Sequence, residues 1–249
     1  MNSVKIAKPS IQSLLIEMRY CGQALSTGSG FLVETARGLH LVTNRHNVTG
    51  RHQETGKPLS PTGGLPNEIR VFHNTANRLG SWTGKIEPLY LNGTPRWVEH
   101  PVGKEKYDFV ALPLSDLEGI ADYPYDPLNP GENIMCGPAD TVSVIGFPFG
   151  LSTGGALAIW ATGFVASEPF LPEDPTFFVD CRSRPGQSGS AVVAYKSGGM
   201  VAMNDGSSAA FGGPVSRFLG IYSGRVNERS DLGIVWKATA LAELVTSIE

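Results

Sequence analysis

Apolar residues along this chain come in short bursts, not helical stripes. Segments such as SGFLVET, LHLVTNRHNV, EIRVFHN, FVALPL, TVSVIGF, ALAIWATGFVAS, TFFVDCR, SAVVAY, FLGIYSG and LGIVW are rich in β-branched and aromatic residues and are bounded by Gly, Pro, Asn, Asp or Ser. About a dozen strands of this kind, with no helix-length periodic segment between them, predict antiparallel barrels and no βαβ units. The C-terminus is the exception. Ala238, Leu241, Leu244, Val245 and Ile248 recur at three- and four-residue spacing, which predicts an amphipathic helix laid on the second barrel. Near the N-terminus, Ile11, Leu14, Leu15 and Met18 suit a helix while Leu14, Ile16 and Met18 alternate; we read a strand.

Two stretches break the strand pattern. Residues 50–68, GRHQETGKPLSPTGGLPNE, form a long Gly- and Pro-rich surface loop. Residues 115–140 carry Pro124, Pro127, Pro130 and Pro138 among several acids, which marks a boundary between two units. The reading is an all-β fold of two antiparallel β-barrels with a C-terminal α-helix, divided as 1–120, a linker at 121–140, and 141–249.

Composition narrows this further. With 30 Gly and 18 Pro, the chain is too punctuated for a helix bundle, while 41% hydrophobic residues against 17% charged ones provide a large core. Net charge is −3 and basic residues do not cluster, so neither nucleic acid nor an anionic membrane is an expected partner. The N-terminal MNSVKIAKPSIQSLLIEMRY lacks the apolar run of a signal peptide, and no segment approaches the ~20 apolar residues of a membrane span. Cys21, Cys136 and Cys181 are too few and scattered for a disulfide framework or a zinc site. A reducing, cytoplasmic setting is expected.

The candidate chemistry starts at RPGQSGSAVVAY, where Ser188 stands between Gly186 and Gly189 just before an apolar strand. A nucleophilic hydroxyl must sit on a tight turn whose own N–H groups face the developing oxyanion, and Gly permits that backbone. Gly186 and Ser188 would be those donors. A lone Gly/Ser turn of this kind is otherwise unremarkable, so the base decides its meaning. Of five histidines, His46 is best placed, at a strand end before the long loop. His40, His52, His73 and His100 read as surface or structural. Asp108, opening YDFVALPL, is the candidate to orient the imidazole, whereas the acids of the 115–140 stretch look solvated.

The order His, Asp, Ser, with spacings of 62 and 80 residues, joins these signals. Together with GSGFLV, LVTNRHNV, YDFVAL, VIGFPFG, VDCRSRPGQSGSAVV and GIYSG, it resembles the trypsin-like, chymotrypsin-fold serine peptidases, in particular the bacterial group that includes the catalytic domains of HtrA proteases. The resemblance implies a serine endopeptidase acting on protein or peptide substrates without a cofactor or metal. It further implies that Ser223 hydrogen-bonds towards Asp108 and that Gly224 pairs with the substrate backbone. Arg182, six residues before Ser188, would floor the primary pocket and favour acidic side chains.

Departures from the digestive branch matter too. Gln187 replaces the acid that pairs with a freed N-terminus there, so activation by that salt bridge is not expected. Asn44 and Arg45 stand where small residues precede the histidine. No PDZ domain is expected after the terminal helix, which leaves control to loops, oligomerisation or a regulatory protein. The acceptor patterns at Asn47 and Asn92 read as chance. The rival readings are a silent or partner-activated binding module on the same fold, and a polyprotein-processing viral protease.

Overall fold

The structure is a computed structural model that describes residues 5–227 and 229–249. Positions 1–4 of the segment read for a targeting signal lie outside the described residues. A one-turn helix, α1 (Pro9–Gln12), leads into β1 (Ser13–Tyr20), where the alternating pattern won. β2 (Gln23–Thr35), β3 (Gly38–Thr43) and the one-turn helix α2 (Arg45–Thr49) follow. Next come β4 (Glu68–Thr75) and β5 (Arg78–Pro88), a small hairpin of β6 (Tyr90–Leu91) and β7 (Thr94–Pro95), then β8 (Val98–Glu99), β9 (Val110–Pro113) and β10 (Ile120–Ala121). The second half holds β11 (Thr141–Gly146), β12 (Ile159–Val165), β13 (Thr176–Asp180) and β14 (Ala191–Lys196). It continues with a hairpin of β15 (Gly199–Ala202) and β16 (Ser208–Phe211), then β17 (Val215–Arg225), β18 (Leu232–Lys237) and α3 (Ala238–Thr246).

The C-terminal unit is a closed barrel in the order β11-β12-β13-β18-β17-β14. The N-terminal unit is an eight-stranded antiparallel sheet, β10-β4-β1-β2-β3-β9-β8 with β5 on β4, and no pairing among the described residues joins its ends. Pro88 ends β5, and a proline has no N–H to extend a ladder. The fold is mostly β, as the strand pattern predicts.

Two further features depart from the sequence reading. The 121–140 segment is not a bare linker: Tyr125 stacks on Phe218 at 4.6 Å and meets Phe31 edge-on at 5.3 Å, so it joins the two units. Its prolines interrupt pairing but not burial. Likewise, α3 packs on both units, because Leu241, Leu244 and Val245 enter one cluster with Phe31, Val42 and Phe109 from the first and Phe218 and Ile221 from the second. That shared apolar layer fixes the seam at which the candidate site lies. No helix among the described residues is long and apolar enough to cross a membrane, and no group of acidic, His or Cys side chains there could hold a metal ion.

Candidate active site

His46 lies on α2, directly after β3. The helix stops after one turn because Gly50 takes a left-handed φ of 65° and returns its N–H to the His46 carbonyl at 2.9 Å. This holds the imidazole at the edge of the first unit. Asp108, 3% exposed, lies two residues before β9 and meets His46 twice. Its Oδ2 accepts from His46 Nδ1 at 2.7 Å, and its Oδ1 accepts from the His46 backbone N–H at 3.0 Å. Since Nδ1 donates to the carboxylate, Nε2 is left unprotonated in the neutral ring, as a general base requires. Ser223 Oγ donates to the same Oδ2. Asn44 Nδ2 donates to the Asp108 carbonyl at 2.6 Å, so the polar residue before the histidine acts as a tether for the carboxylate's own backbone.

Ser188 is held from the second unit, in the turn that precedes β14. Arg184 and Gln187 close a β-turn, with Gln187 N–H donating to the Arg184 carbonyl at 3.2 Å. Pro185 and Gly186, at φ 94°, occupy its centre, the sequence demanded by a type II turn. Gln187 is fully buried and folds back, its Oε1 accepting from Arg184 N–H at 2.7 Å. The turn is thus braced by its own side chain. Gly189 N–H donates to the Tyr222 carbonyl and Ser190 N–H to the Gln187 carbonyl, whereas the N–H groups of Gly186 and Ser188 have no acceptor among the described residues. Neither of these two donors, on either side of Gln187, is committed to another group among the described residues.

Three residues that no sequence motif assigns to the site lock this turn to the first unit. Ser29 N–H donates to the Ser188 carbonyl at 2.8 Å, and Ser29 Oγ donates to the Gly186 carbonyl at 2.8 Å. Asn47 Nδ2 donates to the Ser188 carbonyl at 3.3 Å and to Thr43 Oγ1 at 2.9 Å. Thr43 Oγ1 in turn donates to the Ser29 carbonyl at 2.8 Å. Ser29 belongs to GSGFLV, and Thr43 and Asn47 to LVTNRHNV, but neither motif discloses these contacts. Asn47 is 5% exposed, which accounts for its acceptor pattern as chance.

His46, Asp108, Ser188, Ser223 and Gly224 all line one open cleft of about 450 Å³, with residues of the 50–68 loop on its far wall. Ser188 Oγ donates to the Ser223 carbonyl at 3.3 Å and has no hydrogen bond to His46. Arg182 is exposed and does not line the cleft, because side chains alternate: Cys181 and Ser183 point in and Arg182 points out. A cationic pocket floor therefore has no counterpart in the structure.

Among solved structures, the chain is similar to the serine endoprotease from Yersinia pestis, with 16% identity and a TM-score of 0.51, covering 96% of this chain and 65% of that one. It is similar also to the HtrA-type protease AlgW, an alanine variant solved with tripeptide, at 15% identity and a TM-score of 0.50, covering 96% and 60%. The chain thus spans less than two thirds of either neighbour, and the likeness at this identity concerns the fold. A comparison with curated proteins gives no match. Residues 28–203 match the trypsin-like peptidase domain, well over half of the chain and the stretch that holds His46, Asp108 and Ser188. By that match the chain belongs to the trypsin-like peptidase family.

Proposed function

We propose that the chain is an endopeptidase working through His46, Asp108 and Ser188 and an acyl-enzyme intermediate. The observation that carries this reading is the His46–Asp108 pair, 2.7 Å apart, opening on the same cleft as a serine flanked by two unpaired N–H donors. In the attack, Ser188 Oγ rotates from the Ser223 carbonyl to His46 Nε2, gives up its proton there and bonds to the peptide carbonyl carbon. The carbonyl electron pair moves onto oxygen, where Gly186 and Ser188 N–H receive it, each donor worth about 10²–10³ in rate. His46 then passes the proton to the leaving amine, and Asp108 stabilises the transient imidazolium. Water, deprotonated by His46, releases the acyl group.

Gln187 supports a turn that needs no new N-terminus for bracing, since its own amide supplies the contact. The free thiols, two of them buried, fit a reducing, cytoplasmic setting. A second reading, a partner-activated module, draws on the Ser188 to Ser223 hydrogen bond, which holds the hydroxyl away from the base. Fluorophosphonate labelling of the isolated protein separates the two. Labelling that disappears in Ser188→Ala, with proteolysis falling on the order of 10⁶-fold, is the expected result; undiminished labelling in that variant refutes the assignment.

A further inference from the structure

β17 outruns its neighbour β14. The last pair is Ala191 with Ile221, Tyr222 N–H then donates to the Ser190 carbonyl at 2.9 Å, and no β14 residue lies opposite Ser223 or Gly224. An extended peptide added to that edge places a carbonyl beside Ser188, which rests on the reading of Ser188 as nucleophile. The residue supplying that carbonyl can direct its side chain to one of two faces. On the Ser223 face stand Asp108 and His46, joined to Ser223 through its hydroxyl. The other face is that of Tyr222, between β18 and residues 181–187.

That second face is full. Tyr222 is 2% exposed, and its hydroxyl is hydrogen-bonded to Ser183 Oγ, itself 2% exposed. The ring lies so close over Gly233 of β18 that a Cβ there would come within 2.4 Å of ring Cε2. None of residues 181–187 lines the cleft, and the space between them and β18 is taken by the Tyr222 ring. We propose that Tyr222 plugs the pocket next to the scissile bond and confines cleavage to sites with Gly, Ala or Ser as the residue that donates the carbonyl. A leucine or phenylalanine there would have to expel the ring from its contact with Ser183.

The test uses the full chain and a series of fluorogenic peptides that differ only at that residue: Gly, Ala, Leu, Phe and Glu. Wild-type kcat/KM should be at least 100-fold higher for Ala than for Leu, Phe or Glu. In Tyr222→Val, the Ala-to-Leu ratio should fall at least tenfold. Equal cleavage of Leu and Ala by the wild type, or an unchanged ratio in a folded Tyr222→Val, overturns the proposal. If that variant does not fold, labelling rates of the wild type by alanyl and phenylalanyl phosphonate diphenyl esters decide alone, with equal rates overturning it. A small fluorophosphonate serves as the control. Labelling of Ser188 by it without size selection in the series refutes only the plug, whereas no labelling refutes the nucleophile reading and the plug with it.

Discussion

His73 should make this protein acid-labile, by an amount the structure allows to be worked out. It lies on β4, is 1% exposed, and neither ring nitrogen has a hydrogen-bond partner among the described residues. Burial, reinforced by Lys85 and opposed by Glu87 and Asp116, pushes its pKa from 6.5 down to about 4. Because the folded value lies below the unfolded one, the unfolded chain takes up the proton first as pH falls. Stability is therefore intact above about pH 6.5, declines between there and pH 4, and levels off below. The difference corresponds to about 3 kcal/mol in full, of which about 2 kcal/mol is lost between pH 7 and pH 4.5. Urea unfolding at these two pH values, in a Ser188→Ala background to prevent self-cleavage, reads the loss. His73→Leu removes the titration and both unpaired nitrogens at similar volume, and every other titrating group is common to the two proteins. The variant should lose about 2 kcal/mol less than its parent over this interval. An identical loss in both would mean that His73 is solvated or paired, and would refute the reasoning.

Two further predictions concern the site. Asp108→Asn leaves an amide able to donate towards His46 and should lower kcat about 10⁴-fold with little change in Tm, as measured by peptide hydrolysis and thermal unfolding; a loss below tenfold would remove Asp108 from its orienting role. Gly189 has φ 88°, and a Cβ there would lie 2.0 Å from the Ser29 carbonyl oxygen, so Gly189→Ala combines backbone strain with a clash. A cost of about 3 kcal/mol should lower Tm by about 6–12 °C and slow fluorophosphonate labelling, and a wild-type Tm would refute it.

How much of this was legible depended on the range of each signal. His46 and Asp108 stand out in sequence because each lies beside an apolar strand, and Ser188 because its glycines flank it; that the three line one cleft is what the fold adds. Ser29, Thr43, Asn44 and Asn47 do not stand out, since their purpose lies in carbonyls as far as 157 residues away, and a buried Asn beside a strand looks like any turn residue. The same limit explains Arg182. Counting back from Ser188 gives its place in the chain, but the inward turn of Cys181 and Ser183 decides that it faces solvent.

Tyr222 shows where that limit bears on function. In GIYSG it reads as an apolar strand position, and burial alone would agree. Whether such a ring belongs to the core or occupies space a substrate would use depends on the neighbouring strand, where Gly233 leaves room that any side chain would take. The ring also needs Ser183 across the gap to receive its hydroxyl, and burial pushes that phenol up to about 12, so it stays protonated and hydrogen-bonded at any working pH. Pocket size is then a joint property of Tyr222, Gly233 and Ser183, from three separate segments. Substitution at one of the three should change selectivity while leaving His46, Asp108 and Ser188 untouched, which makes the proposed triad the legible part of the site and selectivity the part that required the fold.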